Sequence, residues 1–233
     1  MRVDIIFDTI CPWCFVGKRR LERALAQRPT VAAQIHWRPF LLNPDMPEQG
    51  IPRAAYLERK FGGAARVTRM LNSLAEAGKA ESIDFCFDAI QVTPNSVDSH
   101  RLVQFAHRHG VANQAVEALF QAYFVHGRNI GDRDELLGIT EDCDLSADEF
   151  ERMLNSNEGR GEIYLDNAQT HRLSINGVPC FIFENAYGIA GAQDPDILVR
   201  MIDMAIEGPL NDPLSSLRPH GDLVGKSDHG TRQ

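Results

Sequence analysis

Cys11 and Cys14, in the run Cys11-Pro12-Trp13-Cys14, are the side chains whose type and spacing most directly imply a reaction. If the run opens a helix, both thiols lie on one face within disulfide reach, and the first sits where unpaired backbone N–H groups gather. Helix N-termini and C-x-x-C motifs lower a thiol pKa from about 8.5 to between about 3.5 and 7.5, which favours a thiolate nucleophile at the first cysteine. Cys14, one turn in, is then the resolving thiol. In the implied cycle Cys11 attacks a disulfide to give a mixed disulfide, and Cys14 opens that bond. Run backward, the same centre oxidises dithiols. Pro12 sets φ at the first helical position without losing a hydrogen bond. Trp13 adds apolar surface and no positive charge, so weaker thiolate stabilisation is expected than in the strongest oxidants.

The same spacing could supply half of a zinc site. No second C-x-x-C completes four ligands, and His100, His107 and His109 are not spaced i, i+4 for one helical metal face. No metal is expected. His36 and His171 receive no assignment.

A strand must present this motif and a helix must open on it. Val3, Ile5 and Phe7 alternate with Asp4, Ile6 and Asp8, which predicts a strand buried on both faces. From Pro12 the apolar spacing turns helical, and Pro29 closes the segment. A second strand is predicted at 34–40, leaving through a proline-rich loop at 41–47. Helical periodicity then recurs at 56–61, 64–77, 97–109, 112–126, 132–141 and 147–155, with Ser96 and Ser146 at helix starts and Gly110 past a helix end. A helix at 161–173 precedes strands at 180–184 and 187–190, joined by a turn at Asn185-Ala186, and an amphipathic helix at 194–207 closes the pattern. The chain therefore reads as α/β. One unit, residues 1–42 and 166–207, is split by an all-helical insertion at 43–165, and a polar, Gly/Pro-containing tail at 208–233 is expected to be mobile.

At 233 residues the chain can bury a real core without disulfide staples. No stretch approaches the roughly 18 apolar residues of a membrane span, and the N-terminus does not read as a signal peptide, so a soluble protein is expected. Five cysteines with one close pair argue against a secreted disulfide framework, and a cytoplasmic location is expected. A net charge of -8 disfavours nucleic acid and anionic membrane as partners. The run Gly17-Lys18-Arg19-Arg20 reads as an exposed helix face.

Three segments carry a resemblance: CPWCFVGKRR after a short strand, WRPFLLNPDMP at the second strand and NGVPCFIFENAYGIAGAQ near the end. They resemble the FrnE-type DsbA-like oxidoreductases, a family that shares a thioredoxin fold with a helical insertion with 2-hydroxychromene-2-carboxylate isomerases and kappa-class glutathione transferases. The resemblance implies that fold here, with the insertion between N-terminal β-α-β and C-terminal β-β-α units, and a cis Val178-Pro179 bond beside the C-x-x-C. A cis X-Pro turns the chain sharply and frees the preceding backbone to pair with a substrate strand. Cys180 stands where the family usually has an aromatic or aliphatic residue, and its strand position suits a small core side chain. Cys86 and Cys143, in the insertion, are expected to be inert. By resemblance Asn95 and His100 line the cleft, with helix capping and packing as the other reading of both. Gly191-Ala192-Gln193 resembles the loop that holds the γ-glutamyl end of glutathione in the transferases, without their usual acidic residue.

The leading expectation is a thiol–disulfide oxidoreductase with Cys11, Cys14, Pro12, Trp13 and Pro179 in the reacting centre, and Val178, Asn95, His100, Ala192 and Gln193 on the substrate side. It needs no bound cofactor beyond its own cysteine pair. Its partners are a disulfide- or dithiol-containing protein or small molecule, with glutathione a candidate co-substrate, and the chain acts as a monomer or homodimer. A glutathione-dependent isomerase or transferase on the same scaffold is the second expectation. A non-catalytic peptide-binding chaperone or adaptor is the third.

Overall fold

The computed structural model describes residues 1–208. Strand β1 (Arg2–Phe7) leads into helix α1 (Pro12–Ala26), and β2 (Gln34–Pro39) returns parallel to β1 with Ile5 opposite Trp37. A two-residue strand β3 (Ile51–Pro52) precedes α2 (Arg53–Phe61) and α3 (Ala64–Ala80), and β4 (Val92–Thr93) pairs antiparallel with β3. Helices α4 (Val97–Arg108), α5 (Ala112–Phe120), α6 (Arg133–Asp142), α7 (Ala147–Leu154) and α8 (Arg160–Arg172) follow. Strands β5 (Cys180–Phe183) and β6 (Tyr187–Ala190) and helix α9 (Pro195–Glu207) complete the fold. The main sheet has the order β2-β1-β5-β6, with β5 antiparallel to β1 and β6 antiparallel to β5. This is the predicted mixed α/β fold, two sheet-forming units separated by helices.

The predicted double burial of β1 follows from its register. Val3, Ile5 and Phe7 join Phe181 and Phe183 in the main core, where Phe15 of α1 stacks on Phe120 of α5 with ring centroids 5.1 Å apart. Ile6 belongs to a smaller core with Phe40 and Cys180. Because one face of β1 packs under α1 and the other is sealed separately, the strand end that carries the cysteine motif is fixed from both sides.

Three local differences from the sequence reading have physical causes. The β3–β4 pair adds a short ladder within the helical segment, and two-residue strands carry no period to detect. The helix predicted at 112–126 changes at Gln121–Val125 into one wider π turn. There Phe124 offers its carbonyl to the N–H of Cys86 at 2.8 Å, and Tyr123 gives its hydroxyl to the Val92 carbonyl at 3.1 Å. The β5–β6 turn spans Glu184, Asn185 and Ala186 rather than two residues, because Phe183 pairs with Tyr187. Glu184 and Asn185 take positive φ angles of 51° and 54° to close it. The tail expected to be mobile, apart from Gly208, lies outside the described residues. Among the described residues no helix is long and apolar enough to cross a membrane.

Candidate active site

Cys11 occupies the N-cap of α1 with extended backbone (φ -96°, ψ 111°), and Pro12 takes the first helical position. The Cys11 N–H donates to the Asp8 carbonyl and the Cys14 N–H to the Cys11 carbonyl, each at 3.0 Å, so the β1-to-α1 turn is closed on itself. No side chain caps the helix. Its first-turn N–H groups therefore present positive potential beside the first sulfur. Both thiols are free; Cys11 keeps 5% of its surface and Cys14 1%. Burial first, and the adjoining Cys11 sulfur second, push the Cys14 thiol well above its ordinary value. Trp13, by contrast, is exposed and flanks the pair with apolar surface.

The second half of the site arrives from the far end of the sequence. Val178-Pro179 is cis, and the Cys11 thiol donates to the Val178 carbonyl across 3.7 Å. Gly17, on α1, allows this approach: a methyl group there would sit 2.9 Å from Pro179 Cγ and 3.1 Å from Phe181 Cζ. Pro179 in turn accepts a hydrogen bond from the Gly191 N–H at 2.7 Å, tying the loop Gly191-Ala192-Gln193 to the same strand. Ala192 offers its carbonyl to Arg20 at 2.6 Å, and Gln193 donates its amide to the Ala190 carbonyl at 2.7 Å. Asp194, the N-cap of α9, pairs with Arg20 at 3.1 Å. An acidic group therefore stands one residue beyond the loop.

The expectation that Gly17-Lys18-Arg19-Arg20 forms an exposed face is corrected. Lys18 is buried and bonds Glu22 at 2.5 Å and Glu117 of α5 at 2.6 Å, while Arg20 bonds the buried Glu81 at 3.0 Å. Acids supplied by distant elements turn this basic run into the seam between α1 and the inserted helices. Burial alone would raise Glu117, but its hydrogen bonds to Lys18 and Gln121 more than offset that and leave its carboxyl below the usual range.

His100 comes beneath the motif, its Nε2 3.4 Å from Oδ1 of Asp8, with both side chains sealed from solvent. Asn95 performs the capping alternative: its Oδ1 accepts the Val97 N–H at 2.9 Å and its Nδ2 donates to the Met46 carbonyl at 2.7 Å. Sequence reasoning assigned nothing to Asp8 or Gly17. The only signal at Asp8 was an acid directly after an apolar run and three positions before Cys11. Cys180 is buried on the far face of the sheet with Ile6 and Phe40, and burial raises its thiol. Cys143 is buried and likewise raised, whereas Cys86 is exposed.

Residues 2–203 match the family described as the DSBA-like thioredoxin domain. The chain belongs to this family. A solved structure from Streptomyces coelicolor, described as a probable DsbA oxidoreductase, is 27% identical with TM-score 0.81, covering 91% of this chain and 93% of that one. A 2-hydroxychromene-2-carboxylate isomerase is 18% identical with TM-score 0.64, over 89% of this chain and 95% of its own. The cytosolic disulfide reductase DsbM from Pseudomonas aeruginosa, solved with GSH, is also 18% identical with TM-score 0.64, over 89% of this chain and all of its own. These two share the DSBA-like fold, and at that identity the likeness is one of fold alone.

Proposed function

We propose that this DSBA-like chain is a thiol–disulfide oxidoreductase in which Cys11 is the nucleophile and Cys14 the resolving thiol. The observation that carries this reading is the unequal setting of the pair. Cys11 stands at an uncapped helix start facing the Val178 carbonyl, while Cys14 lies deeper and its thiol is held protonated. The Cys11 thiolate attacks one sulfur of a disulfide and expels the other as thiolate. Cys14 then attacks Cys11, releasing the second thiol and closing the Cys11–Cys14 bond, so two electrons pass to the substrate.

Val178 and Pro179 would receive the substrate backbone beside the reacting sulfur, with Trp13 giving apolar contact and Ala192 and Gln193 forming the rim. A small dithiol or disulfide suits the same cleft. Glutathione is proposed as the co-substrate that returns the centre to the dithiol, two molecules leaving as their disulfide. The cytoplasm is the proposed compartment, supported by an odd set of five cysteines with only one close pair in sequence.

The deciding experiment compares wild type with Cys14→Ala for reduction of a model disulfide, with mass spectrometry for trapped adducts. The variant should lose turnover and accumulate a mixed disulfide on Cys11, because attack survives while resolution is lost. A glutathione-dependent isomerase or transferase has no step that needs a Cys14 thiol. Glutathione conjugation retained in both proteins, with no trapped adduct, would replace the oxidoreductase reading.

A further inference from the structure

A residue of the cysteine helix itself holds the rim loop Gly191-Ala192-Gln193 from the side. We infer that Arg20 is a positioning residue for the proposed reaction: it fixes that loop against α1 and the inserted helices, and so sets how a peptide disulfide approaches Cys11. The inference rests on the oxidoreductase reading and extends it to a residue further along α1.

The Arg20 guanidinium serves acceptors from three places in the chain. Its Nε donates to Oε1 of Glu81 at 3.0 Å. Its Nη1 donates to the Ala192 carbonyl at 2.6 Å and lies 3.1 Å from Oδ1 of Asp194. Glu81 caps the C-terminal end of α3 and is buried. Arg23, on the same side of α1, reaches both oxygens of Glu81, at 3.0 and 2.9 Å. Two arginines of α1 therefore grip the insertion, and one of them also grips the rim. A guanidinium suits this task because it presents its donors in a fixed planar fork.

The loop has little else to hold it. Gly191 takes a positive φ of 85°, and Gln193 returns its N–H to the Gly191 carbonyl at 2.9 Å, so Ala192 stands at the point of a three-residue turn. The Gln193 side chain goes back to the Ala190 carbonyl of β6. Among the described residues two hydrogen bonds leave this turn for other elements: the Gly191 N–H to the Pro179 carbonyl at 2.7 Å, and the Ala192 carbonyl to Arg20. The first ties the loop to the peptide unit that follows Val178, whose own carbonyl accepts from Cys11 across 3.7 Å. Loop and reacting sulfur are thus bonded to adjacent carbonyls of one strand, and a chain laid along Val178 must pass the loop.

Ordering a loop on binding costs affinity, and a loop ordered beforehand spares the substrate that cost. The bond from Arg20 to Ala192 supplies the order. It is charge-assisted, hence stronger than a neutral bond, and the Arg20 side chain is only 16% exposed, which limits screening. The Asp194 side chain is 73% exposed, so its pairing with the same nitrogen contributes little.

Reagents that touch only the Cys11 sulfur can be set against a substrate that crosses the rim. Reduced protein is mixed with iodoacetamide, with bis-hydroxyethyl disulfide and with a short peptide closed by one disulfide, and the second-order rate constants are measured for wild type, Arg20→Met and Asp194→Asn. Arg20→Met leaves Glu81 paired with Arg23, so no buried acid is stranded. Its rate with the peptide should fall about tenfold, as expected for one lost charged hydrogen bond, while its rates with the small reagents stay within about twofold of wild type. Asp194→Asn should match wild type with every reagent. An unchanged peptide rate in Arg20→Met would overturn the inference. Equal loss with all three reagents would do the same, since Arg20 would then support α1 and not the rim. A loss in Asp194→Asn as large as that in Arg20→Met would route the effect through the carboxylate and also overturn it. If Arg20→Met did not fold, nitrogen NMR of the wild type still decides: the Arg20 guanidinium should rotate slowly about Nε–Cζ, and free rotation would sink the assignment. Failure of the underlying reading looks different: wild-type protein that is alkylated at Cys11 yet reduces neither disulfide.

Discussion

Cys11 Sγ and the Val178 carbonyl oxygen lie 3.7 Å apart although 167 residues separate them. The contact depends on how closely α1 can approach the strand that begins after Pro179, and Gly17 sets that distance. Gly17→Ala would place a methyl 2.9 Å from Pro179 Cγ, inside van der Waals contact with a ring that cannot fold away. The expected result is a loss of about 1 to 3 kcal/mol in stability from overpacking, with slower reduction of a model disulfide even where the variant remains folded. Denaturant midpoints and turnover measured on the same preparation check this. Wild-type values for both would show that Pro179 has room to move.

A second prediction concerns the helical insertion. The Arg101 guanidinium is fully buried and gives hydrogen bonds to the carbonyls of Glu158 at 2.8 Å, Ser156 at 2.9 Å and Met153, and to Asp98 at 2.8 Å. It thereby gathers the carbonyls between α7 and α8 around one cation. Arg101→Met should cost about 3 to 5 kcal/mol, because it leaves buried acceptors without donors, and Arg101→Lys should recover little, since an ammonium cannot serve that fan of acceptors. Turnover measured below the transition should stay near wild type. A stability change under about 1 kcal/mol would contradict the assignment.

The sheet and its flanking helices were legible because their signals are local. Alternation marked β1, Pro12 and Pro29 bracketed α1, and the apolar stripe of Ile197, Leu198, Met201 and Ile202 marked α9. The cysteine pair was legible for the same reason, its meaning being carried in four consecutive residues. What could not be read depends on partners distant in sequence. Lys18 looked like surface because nothing near it announces Glu117, 99 positions away. Asp8 drew no assignment beyond its place in a buried strand, because only the arrival of α4 sets it beside His100. Gly17 looked like one small residue in a helix until Pro179 lay against it.

The alkaline side of stability should report Tyr123. Burial pushes its phenol up to about 12, while its hydroxyl donates to the Val92 carbonyl and accepts from Arg53 at 3.2 Å. The sign follows from the neutral form being favoured when folded. Below the ordinary phenol value of about 10 both states are neutral and the full stability is present; above it the unfolded chain ionises first and stability is lost toward about 12. Tyr123→Phe should cost about 1 to 3 kcal/mol at neutral pH by stranding the Val92 carbonyl and the Arg53 guanidinium. It should also flatten the decline between about pH 10 and 12. If both proteins lose stability equally over that range, Tyr123 is not the group responsible.

Cys14 gives the last prediction, which concerns the two thiols separately. Burial is the first cause of its raised thiol and the neighbouring Cys11 the second, so removing Cys11 should lower the shift without abolishing it. In Cys11→Ser, Cys14 should therefore react with iodoacetamide more slowly than a free cysteine near pH 7, by about tenfold or more. Its rate should still be climbing above the ordinary thiol value of about 8.5, because the folded chain favours the protonated form until pH passes the raised value. In Cys14→Ala, Cys11 should be the faster of the two, being the more exposed sulfur and the one at the helix start. Unfolding each variant in denaturant should bring the two rates together, which separates an effect of the fold from one of the reagent. Equal rates in the folded variants would mean that burial does not distinguish the cysteines, and the division into attacking and resolving thiol would have to be abandoned.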